Sequence, residues 1–178
     1  MSRLQQLRND AHPYRAAYQE FVASTDVCTL TTRSVAGELR FRPMSVQEYA
    51  GGHTIWFVTD RTSRKVDDIR ANDRVSLSFA NSETHESATF HAIARIVESD
   101  HRVRQWFTPT WKQWLAPGDA PAIITADDPR FALIEVRLLR VTYVQSPPRS
   151  RAPWFQYTRS LAPELTSFDL TSCVDTTS

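Results

Sequence analysis

Between Thr54 and Ala80 the apolar pattern changes its period twice, so no single type of secondary structure can run through it. Ile55, Phe57 and Thr59 alternate with Trp56 and Val58, the two-residue period of a strand with two distinct faces. Asp60-Arg61-Thr62-Ser63 breaks the alternation, and Val66 and Ile69 follow at the spacing of one face of a short helix that stops near Asn72-Asp73. Val75, Leu77 and Phe79 then alternate with Ser76 and Ser78, which returns the chain to a strand. The stretch reads strand, short loop, helix, strand, and the rest of the chain has to be arranged around it.

The loop carries more polar chemistry than packing requires. Ser63 sits where an N-cap would sit, which predicts that its hydroxyl satisfies an orphan amide of the first turn. That turn presents free N–H groups and the positive end of the helix dipole, a ready anion site. Arg64 and Lys65 add two cations at the same place, while Asp67 and Asp68 come slightly too late to cancel them. Hydroxyls, cations and free amides together describe a phosphate cradle. An ordinary capped surface helix with basic residues accounts for the same pattern, and this stretch alone does not choose between the two.

The flanking segments supply the fold class. Leu4 to Val22 has a helical apolar stripe, with Pro13 dividing it or starting a second helix. Val27 to Thr32 reads as a strand, Gly37 marks a turn, and Leu39 to Val46 runs back with Arg40, Arg42 and Met44 on one face. Pro43 on the other face cannot donate to a ladder and marks an edge or a bulge. After Gly51-Gly52 and the central stretch, Ala88 to Val97 alternates over another strand; His91 on it fits a half-exposed surface position better than a catalytic base. His101 to Leu115 reads as helical with a break at Pro109, and Phe131 to Val144 as the last strand region. Five or six short antiparallel strands joined by tight turns favour a closed or half-closed barrel with peripheral helices, a mainly β class. One domain over 1–145 and a Ser/Thr/Pro-rich extension over 146–178 is the expected division.

Composition closes off several function classes. A chain of 178 residues fits one domain with a full core, and a formal net charge of +1 argues against a dedicated nucleic-acid binder. No apolar run is long enough to span a bilayer, and the N-terminus has no apolar h-region, so neither a membrane span nor a signal peptide is expected. Cys28 and Cys173, far apart, suggest free thiols in a cytoplasmic protein. Four glycines cannot build a dinucleotide or Walker loop, the histidines show no metal-ligand spacing, and no G-x-S-x-G elbow occurs. If the chain is an enzyme, a bound cofactor carries the hard chemistry.

The segment from Trp56 to Phe79 closely resembles the flavin-phosphate loop of the pyridoxamine 5′-phosphate oxidase-like proteins: a strand ending in aromatic-x-Thr, then Ser-Arg-Lys four residues later, a short helix and an alternating strand. Arg42-Pro43-Met44 and the W-x-x-W-L at Trp111 look more like the family's general stress protein branch. The resemblance runs from about Ala16 to Val144. It implies a six-stranded antiparallel FMN-binding split barrel that dimerises, with the cofactor at the subunit interface. Carried over by position, Arg42, Ser63, Arg64 and Lys65 would hold the 5′-phosphate through charge-assisted bonds of about 1.5–3 kcal/mol each. Val58 and Thr59 would line the ring and Met44 would lie near its edge, with Trp111 or Trp114 as candidates to wall the pocket and core packing as their other fate.

Departures from the family pattern point away from a true pyridoxamine-phosphate oxidase. Those enzymes carry a lysine five residues after the strand arginine, where this chain has Gln47, and end in an Arg-x-His motif with no counterpart after Val141. Ser87 falls where they place a glutamine toward the flavin. The expected function is therefore an FMN-dependent oxidoreductase for an unidentified small molecule, reduced by NADH or NADPH, or else a non-catalytic flavin carrier or sensor. FAD or a deazaflavin could stand in for FMN. A weaker reading, single-stranded nucleic acid stacked on Trp56 and Phe90 beside Arg40 and Arg95, is disfavoured by the near-neutral charge.

Overall fold

Alternation becomes strand throughout the computed structural model, which describes residues 11–97, 101–114, 124–145 and 155–160. Strands β1 (Val27–Arg33), β2 (Leu39–Ser45), β3 (Glu48–Ala50), β4 (Thr54–Asp60), β5 (Arg74–Ala80), β6 (Ser87–Val97), β7 (Phe131–Gln145) and β8 (Phe155–Ser160) form one antiparallel sheet. Their spatial order is β2-β1-β5-β6-β7-β4-β3, with β8 paired to β7. The sheet curls until β2, at one end, comes beside β4, near the other, giving a half-barrel. Helix α1 (Ala11–Ala23) packs Tyr18, Phe21 and Val22 into its core, and α2 (Arg64–Ala71) lies against β1 and β6. A short α3 (His101–Trp106) and a 3₁₀ turn (Pro109–Trp114) precede β7.

Among the described residues there are eight strands where six were expected. The additions are β3, whose three residues are too few to show alternation, and β8, which lies in the C-terminal extension. β3 pairs Glu48 with Trp56 and Ala50 with Thr54; β8 pairs Phe155 to Ser160 with Gln145 to Arg140. Pro13 does not divide α1 but sits in its first turn, where the missing N–H has no intrahelical acceptor to lose. The expected stretch from Leu4 to Asp10 lies outside the described residues. The helical run does break, at Phe107-Thr108, and Pro109 opens the 3₁₀ turn that follows.

Strand β4 positions the site because both its faces are buried. Ile55 and Phe57 point into the main core with Leu30, Leu77 and Phe90, while Trp56 and Val58 enter a second, aromatic cluster with Trp111, Phe131 and Leu133. Each such large side chain contributes about 1.5–3 kcal/mol on burial. Strand β2, by contrast, has an open outer face: Leu39 and Phe41 are 53% and 67% exposed, and Pro43 lies between Arg42 and the buried Met44. Among the described residues no helix is long and apolar enough to cross a membrane.

Candidate functional site

A cavity of about 630 Å³ opens between β2, the C-terminal end of β4 and the start of α2. That volume is within the ordinary range for small-molecule sites. Arg42 and Met44 reach it from β2, Val58 and Thr59 from β4, and Ser63, Arg64 and Lys65 from the loop and the first turn of α2. Arg40, Pro43, Ser45 and Val27 complete its wall.

The loop is held by its own side chains. Asp60, buried at the end of β4, accepts at Oδ1 from the Thr62 backbone N–H (2.7 Å) and the Thr62 hydroxyl (2.6 Å), an Asx turn. The Ser63 N–H donates to the Asp60 carbonyl at 3.1 Å. Ser63 is the N-cap by backbone geometry, yet its hydroxyl makes no capping bond, contrary to the expectation from sequence. It is drawn sideways into a polar cluster: Ser63 Oγ lies 3.2 Å from Thr59 Oγ1, and the Lys65 ammonium donates to Thr59 Oγ1 at 2.9 Å and Ser63 Oγ at 3.3 Å. The first-turn amides are thereby left clear of the serine hydroxyl, although the Val66 N–H still donates to the Ser63 carbonyl at 2.9 Å. Among the described residues no carboxylate pairs with Lys65; burial and the Arg42 charge push its pKa down, and Asp60 only partly offsets them.

Asp68 corrects a second expectation. It sits one turn into α2, 3% exposed, and its carboxylate meets the cations of β2 instead of lying too far along to matter. Arg40 Nη1 donates to Oδ1 at 2.9 Å, Arg42 Nη2 to Oδ2 at 3.2 Å, and the Thr32 hydroxyl to Oδ2 at 2.8 Å. Burial alone would raise the Asp68 pKa; the bonds from Thr32 and Arg42 and the charges of Arg40 and Arg42 outweigh it and hold the carboxyl below its ordinary value. Arg42 Nη1 is buried and has no hydrogen-bond partner among the described residues. A buried donor left unmet costs about 1–3 kcal/mol, more when charged. The sequence did carry a signal for Asp68: Arg40 and Arg42 share one strand face, and two half-buried guanidinium groups call for a carboxylate.

Other candidates lie elsewhere. Trp111, 1% exposed, packs against Phe131 and Phe107 with ring centroids 5.3 and 5.7 Å away and is not among the residues lining the cavity. Trp114 belongs to the 3₁₀ turn, and its side chain lies outside the described residues. Trp56 and Phe90 are 5% and 0% exposed, so neither offers a face on which a base could stack. His91 is exposed on β6, and Cys28 is a buried free thiol whose pKa burial pushes up to about 12. Cys173 lies outside the described residues. No group of three or more His, Cys, Asp or Glu among the described residues could hold a metal ion.

Comparison with known proteins agrees on the fold. The family model described as pyridoxamine 5′-phosphate oxidase like matches residues 15–162. Protein bli-3 of Neurospora crassa is 32% identical over 129 residues, which is 71% of this chain but only 62% of that protein's own length. A Clostridium acetobutylicum protein related to general stress protein 26 superposes with a TM-score of 0.66 at 15% identity, covering 84% of this chain and 95% of that one. A pyridoxamine 5′-phosphate oxidase-related, FMN-binding protein from Nostoc punctiforme gives a TM-score of 0.55 at 16% identity over 85% of this chain and 95% of its own.

Proposed function

The chain belongs to the pyridoxamine 5′-phosphate oxidase-like family, and from that premise we propose that its cavity binds FMN and serves flavin-dependent oxidation or reduction of a small molecule. The observation that carries the reading is the pairing of an unpartnered buried Arg42 Nη1 with a Lys65 ammonium held only by hydroxyls. Arg42, Ser63, Arg64 and Lys65 hold the 5′-phosphate; Val58, Thr59 and Met44 border the ring. Bound FMN supplies hydride or electron exchange at its ring. The protein's part is to bind and orient it, because the titratable side chains lining the cavity are Arg40, Arg42, Arg64 and Lys65, with no carboxylate, imidazole or thiol among them. That same lining supports the second reading, a flavin carrier or sensor without turnover. Reduction by NADH or NADPH in an anaerobic titration separates the two: bleaching at a useful rate supports the oxidoreductase.

The open face of β2 belongs to this proposal. Val27 and Pro43 line the cavity, and Val27, Leu39 and Phe41 continue outward as exposed apolar surface at 50%, 53% and 67%. A second copy of the chain is the occupant that would cover both the strip and the cavity mouth. A cytoplasmic setting is part of the same proposal.

Fluorescence titration with FMN tests the assignment. Arg42→Ala and Lys65→Ala are each expected to weaken FMN about 10- to 100-fold, the loss of one charge-assisted bond. If both kept wild-type affinity, the phosphate would not lie here. Sedimentation of Phe41→Glu should yield a monomer from a wild-type dimer; a monomeric wild-type protein would remove the second copy from the scheme.

A further inference from the structure

Asp68 ties together the two elements that face each other across the cavity. It is on α2, the helix whose first turn carries Arg64 and Lys65, and both arginines it binds are on β2. Its side chain is 4% exposed, against 36% for Arg40 and 18% for Arg42. The carboxylate uses each oxygen differently: Oδ1 takes Arg40, while Oδ2 is shared by Thr32 and Arg42. Arg42 thus spends one terminal nitrogen on Asp68 and keeps the other unpartnered, on a residue that lines the cavity. A guanidinium is a planar fork, so fixing one tine fixes where the other points.

We propose that Asp68 is a positioning residue, which fixes the Arg42 guanidinium in the cavity wall so that this side chain can take a phosphate oxygen. This rests on the FMN reading above and adds to it a residue that never touches the ligand. Two physical effects compete. As a nearby negative charge Asp68 repels a phosphate dianion; as an anchor it spares the anion the entropy of immobilising a long side chain. The anchor wins if removing the charge weakens binding and loses if removal tightens it. Thr32, from β1, is the third point of support, reaching the carboxylate from a strand that sends only Val27 to the cavity.

The experiment compares FMN with riboflavin, which has the same ring and no phosphate, on the wild type, Asp68→Asn and Thr32→Val. The wild type should prefer FMN strongly. Asp68→Asn should weaken FMN about 10-fold and leave riboflavin within twofold, and Thr32→Val, which keeps the charge, should shift FMN the same way by about twofold. In an Arg42→Ala background Asp68→Asn should change FMN binding by less than twofold, since the group it positions is gone. A parallel loss of both ligands in the variants would make Asp68 merely structural and overturn the inference, as would tighter FMN binding. If Asp68→Asn does not fold, an unchanged FMN preference in Thr32→Val overturns it as well. A wild type that does not prefer FMN to riboflavin would defeat the cofactor reading itself, and this inference with it.

Discussion

The cavity and the aromatic cluster beside it share strand β4, and Val58 belongs to both. In the cluster, Trp56, Trp111, Phe131 and Leu133 are buried against one another, and Trp111 meets Phe131 and Phe107 edge-on at interplanar angles of 76° each. Such contacts are satisfied by the chain alone. In the cavity, Arg40 and Arg42 from β2 and Arg64 and Lys65 from α2 converge on a space lined by no carboxylate, with Asp68 behind the two β2 arginines as the buried counter-charge. The cluster is explained by folding; the cavity gathers four cations, of which Arg40 and Arg42 find their counter-charge in Asp68. On the FMN proposal, stability and binding are divided between adjacent regions, and substitutions should fall on one side or the other.

The largest effect tests the cluster. Trp111→Ala should cost about 3–5 kcal/mol of unfolding free energy, from lost burial plus the cavity left behind. Denaturant melts measure it, and the folded fraction should keep the wild-type preference for FMN over riboflavin. A loss below about 1 kcal/mol, or a collapse of that preference in protein that is still folded, would show that the two regions are not separate. The next effect is smaller and opposite in kind. Lys65→Met should leave stability within about 0.5 kcal/mol of the wild type or raise it, because the bonds lost go to two hydroxyls that also pair with each other, no ion pair is broken and a half-buried ammonium is removed. A drop as large as that of Trp111→Ala would mean that Lys65 is a structural residue.

The difference between the regions also governs what the sequence revealed. The period-two stretches of β1, β5 and β6 were legible because a sheet with a core face demands alternation. β4 is buried on both faces, so its alternation of Ile55 and Phe57 with Trp56 and Val58 carries no polar face at all; it was the flanking loop that bounded it. β3 was invisible because a three-residue strand has no period. At the site, the cations and hydroxyls could be read because they lie within a few residues of one another, from Thr59 to Lys65. Asp68 could not be read in the same way: its partners Arg40, Arg42 and Thr32 are 26 to 36 residues distant, and only the curl of the sheet brings them to it. The Ser63 cap failed for a related reason. A local rule assigned its hydroxyl to the helix amides, and the longer reach of Lys65 took it instead.

The subtlest expected effect is a pH dependence that belongs to the cavity alone. In the ligand-free protein Lys65 has a lowered pKa, because burial and the Arg42 charge disfavour the ammonium. An adjacent dianion favours the ammonium, so binding raises that pKa and takes up a proton in the interval between the two values. Affinity for FMN should therefore be full below the lowered value and fall as pH rises through it, earlier than an ordinary lysine at 10.5 would allow. On the acid side affinity should fall below about pH 6, where a phosphate monoester gives up its second charge. Stability of the ligand-free protein runs the other way at the alkaline end: the unfolded chain keeps its proton longer than the folded one, so this group's contribution to stability rises with pH between the lowered value and the ordinary 10.5. Riboflavin titrations subtract any ionisation of the ring. Lys65→Met should keep the acid limb and lose the early alkaline one, and an alkaline limb that survives the substitution would place the titrating group outside this cavity.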